Sequence, residues 1–126
     1  LIPENLENIE NIEQINILTR KILRGELNLE NLKQTEKDLI YSNNGIFWNR
    51  KYKENNRCDT LKETMKILKT KNGGMIIGHT IIDKNIKSFC NKKLWFTDIG
   101  MSSAFGNYNK NVSVLEILNN RTRIIK

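Results

Sequence analysis

One histidine stands among 126 residues, and its setting is the stretch of the chain best suited to chemistry. In Met75-Ile76-Ile77-Gly78-His79-Thr80, three apolar residues predict a buried strand, Gly78 lets the chain bend closely, and His79 emerges at the strand's end. Catalytic and metal-binding groups often occupy that position, because the sheet holds the backbone while the loop leaves the side chain accessible. A single histidine cannot hold a catalytic metal, which usually takes three protein ligands. His79 therefore reads in two ways: as one ligand of a site completed from elsewhere, or as a core histidine hydrogen-bonded to backbone.

Two further residues have the right chemistry. Arg50 follows Trp48 by two positions in a loop after a turn. A guanidinium held against an aromatic ring can grip a phosphate with two parallel hydrogen bonds; the alternative is a surface arginine stacked on Trp48. Asp98, in Trp95-Phe96-Thr97-Asp98-Ile99-Gly100, sits at a second strand end. A carboxylate there can orient a metal-binding histidine, or it can cap the turn at Gly100.

The elements that must position these residues follow from periodicity. Ile12, Ile15, Leu18, Ile22 and Leu23 predict a helix over 9–24, stopped by Gly25. Leu29, Leu32, Leu39 and Ile40 predict a second helix over 28–40. The acidic, polar character of this part suggests a lid-like insertion over 26–44. Ser42-Asn43-Asn44-Gly45 is a turn, and 46–52 is an aromatic and basic loop. Thr60-Leu-Lys-Glu63 reads as a capping box, with Leu61, Met65 and Leu68 at helical spacing behind it and an end near Asn72-Gly73-Gly74. Strands are expected at 86–90, 94–99, 111–118 and 121–126, with a hairpin turn at Asn91-Lys92 and a loop over 100–109. Helices first and strands later predict an α+β fold or the back half of an α/β sandwich.

Composition bounds the function only loosely. The net charge is +7, and residues 41–126 carry 16 Lys/Arg against 6 Asp/Glu while residues 1–40 carry 5 against 8. The basic part can attract phosphate-bearing ligands; a solvated lysine-rich face is the plainer explanation. Cys58 and Cys90 are not a CxxC pair and are too few for a thiolate zinc site, so free, partly buried thiols are the default expectation, with a disulfide as the alternative in an oxidising compartment. No apolar run approaches the ~18 residues of a membrane-spanning helix.

The signals gain weight in combination. In order the chain reads Gly45-Ile-Phe-Trp-Asn-Arg50, Cys58-Asp-Thr-Leu61, Ile77-Gly-His-Thr80, Cys90-Asn-Lys-Lys-Leu-Trp95, Thr97-Asp-Ile-Gly-Met-Ser102 with Ala104-Phe-Gly106, and Val114-Leu-Glu-Ile117. Over roughly residues 45–118 this resembles the C-terminal part of the calcineurin-like metallophosphoesterases. It looks most like the Shewanella-like branch of the phosphoprotein phosphatases, where the signals read W-x-R, V-G-H-T, a Cys before a Leu-Trp strand, D-x-G-M-S and V-L-E-I. Leu1-Ile2-Pro3 and a helix containing Ile15-Asn16 look like the segment that follows the family's His-Gly-Gly motif. The D-x-H, G-D-x-x-D and G-N-H-E motifs are absent from this sequence.

The resemblance implies the C-terminal half of a four-layer α/β/β/α sandwich, with residues 1–126 forming part of one metallophosphoesterase domain. It implies phosphate-monoester hydrolysis at two divalent metal ions of the Mn, Fe or Zn type, with a phosphorylated protein as the substrate. His79 would be a metal ligand, Arg50 the phosphate clamp, and Asp98 a support behind the ligand, so that this chain alone is inactive and supplies part of the site. Gly78 would let the His79 backbone approach the metals. Two other classes compete. One is a basic nucleic-acid-binding module using Trp48, Tyr52, Trp95 and Phe96 for base stacking. The other is a non-catalytic remnant acting as an interaction surface.

Overall fold

The computed structural model describes residues 1–70, 72–82, 84–105 and 112–126. The chain divides into two compact units, Leu1–Gly73 and Gly74–Lys126. The first is built on helices and the second on strands, so the architecture is mixed α+β, with three α-helices and two small sheets among the described residues.

In the first unit, α1 (Ile12–Leu23) is stopped at both ends by side-chain and backbone chemistry. The Asn11 Oδ1 accepts from the Gln14 amide at 3.1 Å, and the Gln14 side chain accepts from the Glu10 amide at 2.7 Å. The first bond satisfies one of the helix's orphan donors, and the second ties the residue before the cap to the helix's first turn. At the other end Gly25 takes φ +71°, its amide reaches the Ile22 carbonyl at 3.0 Å, and the Glu26 amide reaches Lys21 at 2.9 Å. This pair of bonds is the Schellman closure, which glycine permits because it pays no Cβ penalty at positive φ. The expected helical stripe is narrower than its sequence: Ile15 and Leu18 are buried and Ile22 packs against them, but Ile12 and Leu23 are exposed.

The helix expected over 28–40 is two pieces. A single 3-10 turn, Leu29–Asn31, is followed by an extended Leu32, and α2 spans Gln34–Tyr41. Extending the backbone at Leu32 delivers that side chain into the core. The Glu36 carboxylate then accepts from the Lys33 amide at 2.8 Å and restarts the helix. Helix α3 (Arg57–Ile67) begins before the expected capping box. Thr60 lies inside it and its hydroxyl bonds the Asn56 carbonyl at 3.2 Å, one turn back, so no box forms. The helix also ends short of Asn72-Gly73-Gly74, because Lys69 takes φ +56° directly after the Leu68 cap.

Leu6, Ile15, Leu18, Leu32, Leu39, Ile40 and Leu68 form the core of this unit, with Leu32, Leu39 and Ile40 coming from the 26–44 segment. The Ser42-to-Gly45 turn closes tightly over it. A Cβ on Gly45 would lie 2.8 Å from the Leu39 carbonyl oxygen and 2.9 Å from that of Ser42, so only glycine fits. Tyr52 is buried, donating to the Leu1 carbonyl at 2.6 Å and meeting the Thr64 hydroxyl at 3.2 Å.

In the second unit, β1 (Met75–Ile77), β2 (Lys87–Phe89) and β3 (Leu94–Phe96) form a sheet in the order β1-β3-β2. Strand β3 is central and wholly buried, parallel to β1 and antiparallel to β2. The rings of Phe89 and Phe96 pack at 5.2 Å across the antiparallel pair. The expected hairpin turn is present, with Cys90, Asn91 and Lys92 all at positive φ and the Trp95 indole nitrogen donating to the Lys92 carbonyl at 2.9 Å. Strand β1 is not the buried strand that three apolar residues predict: Ile76 is 51% exposed. Side chains alternate between the two faces of a strand, and the face that carries Ile76 is open to water while Met75 and Ile77 are half-buried on the other.

Strands β4 (Val114–Leu118) and β5 (Arg121–Ile125) make a separate two-stranded hairpin. Asn119 and Asn120 both have positive φ, which a two-residue type I′ turn demands. Glu116 and Arg123 face each other across the pair and form a two-point ion pair. A small apolar cluster of Ile86, Trp95 and Ile99 takes in Ile82 and Leu115. The 106–111 part of the expected loop and strand lies outside the described residues. Neither cysteine is a free thiol, so of the two expectations for Cys58 and Cys90 the structure has the disulfide-bonded one.

Candidate functional site

His79 sits where β1 ends, and the backbone there is bent by the histidine rather than by the glycine before it. The Thr80 amide reaches back to the Gly78 carbonyl at 2.6 Å, closing a three-residue turn around His79 at φ +56°. A γ-turn with positive φ is the rarer and more strained of the two forms, of order 1–3 kcal/mol for a residue with a side chain. Gly78 does not take positive φ, and a Cβ added to it would meet nothing within 4 Å. The turn leaves the His79 side chain exposed and buries Thr80, whose hydroxyl has no hydrogen-bond partner among the described residues.

Two attachments to the residues that follow β3 bracket this turn. On the near side, the Ile77 carbonyl accepts from both the amide and the hydroxyl of Thr97, each at 3.1 Å. On the far side, the Ile82 amide donates to the Asp98 carbonyl at 3.0 Å. The segment between Ile77 and Ile82 is therefore pinned at both ends to two consecutive residues. Strain persists only where the surroundings over-determine the backbone, and this clamp is such a surrounding.

Asp98 takes part in that clamp through its main chain. Its carboxylate accepts from the Gly100 amide at 3.0 Å, with Gly100 at φ +64°. This is the turn-capping arrangement. The structure thus brings His79 and Asp98 into one clamped region. Arg50 belongs to the other unit. Arg50 is exposed in a loop braced by the Asn49 side chain, whose Nδ2 donates to the Asn44 carbonyl at 2.9 Å and whose Oδ1 accepts from the Lys51 amide at 2.9 Å.

Thr97 and Ile82 are the positioning residues that sequence reading passed over. The available signal was Thr97 itself, a hydroxyl placed directly after an apolar strand, where its side chain can bond a neighbouring strand's last carbonyl. Among the described residues, no group of three His, Cys, Asp or Glu side chains is gathered to hold a metal ion. One imidazole supplies at most one ligand of a metal centre.

No family model, curated protein or solved structure matches this chain. No helix among the described residues is long and apolar enough to cross a membrane.

Proposed function

We propose that this chain is the C-terminal part of a metal-dependent phosphatase that hydrolyses phosphate monoesters, with phosphorylated protein as the substrate class. The observation that carries this reading is the clamped γ-turn, which spends backbone strain to present the chain's only histidine, His79, to solvent. The motif order from Arg50 to Ile117 supports it. The complete domain is proposed to be the four-layer sandwich, with the half-exposed face of β1 covered by the rest of that domain.

In this reading His79 offers a ring nitrogen as one metal ligand, in its neutral form because ligation needs the free lone pair. Arg50 holds two phosphate oxygens with a bidentate guanidinium and offsets charge that builds during displacement. Thr97 keeps the His79 turn in register, and Asp98 supports it from behind through the Ile82 amide. A pair of divalent ions, of the Mn, Fe or Zn type, supplies Lewis-acid polarisation and water activation when bound. The remaining ligands come from outside residues 1–126.

The nucleic-acid alternative loses most of its stacking surface, since Tyr52, Trp95 and Phe96 are all buried. The test is Mn-dependent hydrolysis of p-nitrophenyl phosphate and of a phosphopeptide by the complete protein. His79→Ala is expected to abolish turnover; retained turnover overturns the assignment.

A further inference from the structure

The hairpin of β4 and β5 turns on a motif that the phosphatase reading does not use. Asn120-Arg121-Thr122 has the Asn-x-Ser/Thr pattern of an acceptor for asparagine-linked sugar, with a residue other than proline in the middle. We propose that Asn120 carries an N-linked oligosaccharide, added in an oxidising secretory compartment.

In a chain with 19 asparagines the pattern alone means little, and it occurs a second time at Asn111-Val112-Ser113. Placement separates the two. Asn119 and Asn120 are the loop residues beyond the last ladder pair, Leu118 with Arg121, and both are exposed at positive φ. A type I′ turn accepts asparagine at both places, and at the tip of a hairpin a bulky group displaces no packed neighbour. An open groove of about 670 Å³ lies beside the tip, bounded by Leu118, Asn119, Arg121 and Thr122, and leaves room for the first sugars. In the other sequon the acceptor lies outside the described residues, and Ser113 is buried at 2% exposure. The fold therefore takes the second half of that pattern inside and leaves Asn120 in solvent.

An independent observation names the compartment. Cys58 and Cys90 are the chain's only cysteines, and both are disulfide-bonded. Disulfides persist where thiols are oxidised rather than kept reduced, and the lumen of the endoplasmic reticulum, where sugar is joined to asparagine, is such a place. The hairpin also has a use for the sugar. Leu118, beside the tip, is 59% exposed, and Val114, Ile117, Ile124 and Ile125 are exposed along the same two strands. Apolar surface of this kind invites association, and a hydrated oligosaccharide at the tip opposes it.

The transfer balances without an oxidant or reductant. The donor is an oligosaccharide held through its anomeric carbon on a lipid diphosphate, and the catalyst is an oligosaccharyltransferase. The Asn120 Nδ2 bonds to the anomeric carbon, the bond from that carbon to the diphosphate oxygen breaks, one amide proton is released and the lipid diphosphate leaves.

The test is peptide mapping of the native protein before and after a peptide N-glycosidase in heavy-oxygen water, which converts a glycosylated asparagine to labelled aspartate. Label at position 120 is expected, together with cysteines that resist iodoacetamide until they are reduced. An Asn120 that is unmodified throughout the native protein overturns the proposal, and so do cysteines that react without reduction. A second measurement uses the whole chain translated into microsomes, where sugar is added before folding, so that a poorly folding variant still reports. Asn120→Gln and Thr122→Val should each remove one glycosidase-sensitive step in gel mobility, and Thr122→Ser should keep it. A pattern unchanged by Asn120→Gln overturns the assignment to the hairpin. The phosphatase reading can fail without touching this result.

Discussion

The two units carry their apolar residues very differently. The first surrounds seven buried side chains with three helices and a closed turn. The second is organised on strands of three and five residues, and its hairpin leaves Val114, Ile117, Leu118, Ile124 and Ile125 largely in water. Short two- and three-stranded sheets hold together weakly unless something packs on them. Yet it is the second unit that presents His79. The precision of that histidine therefore rests on a local clamp, Thr97 to Ile77 and Asp98 to Ile82, more than on the mass of core beneath it.

The comparison breaks first at the proposed chemistry. In the complete protein, His79→Ala is expected to remove at least ~10³-fold of turnover, and Arg50→Ala about 10²–10³-fold, the range for deleting one group that stabilises developing charge. Steady-state kinetics on p-nitrophenyl phosphate measures both. Loss at Arg50 with no loss at His79 would detach the second unit from catalysis.

Next is the contrast in cores. Leu39→Ala empties a site that is 1% exposed, and should cost the first unit about 2–5 kcal/mol in urea unfolding. Ile117→Ala, at 53% exposed, should stay within about 0.5 kcal/mol. A comparable loss at Ile117 would mean that the hairpin face is covered in solution.

A smaller effect belongs to Tyr52. Burial pushes its phenol above the ordinary 10.0, the Thr64 hydrogen bond pulls it back down, and Glu4 adds an upward push. A phenol that ionises less readily folded than unfolded contributes its stability in full below pH ~10 and loses it as pH climbs through the raised folded value. Tyr52→Phe should cost about 1 kcal/mol near neutrality and flatten the alkaline limb of the stability profile. An unchanged limb would place the alkaline transition elsewhere.

The smallest effect sharpens the site itself. Gly78→Ala should leave the stability of the chain within about 0.5 kcal/mol, because the added Cβ meets nothing. If the same change impairs turnover in the complete protein, another group approaches Gly78 there. Normal turnover would show that close approach at this glycine is unnecessary.

Legibility followed the range of the forces involved. Helix α1 was readable almost to its ends, since its stripe and its glycine stop act within a few residues. The strands near 86–90 and 94–99 were readable because turn residues bound short apolar runs. The split at Leu32 was not, because a helix and a 3-10 turn followed by an extended residue share the same leucines. The core alone favours the second arrangement. The early start of α3 was hidden behind a capping-box pattern that occurs one turn inside the helix, where Thr60 bonds backward instead.

The sequence alone determined which residues could do chemistry and that helices precede strands. It also placed His79 after an apolar strand and Asp98 beside a glycine turn. Those properties depend on side-chain type and on neighbours a few positions away. Only the tertiary structure decided that β1 is an edge strand, that the bend falls on His79, and that Thr97 holds it. Each depends on which strand lies alongside which, and pairing β1 with β3 joins residues about twenty positions apart, beyond what any local pattern encodes.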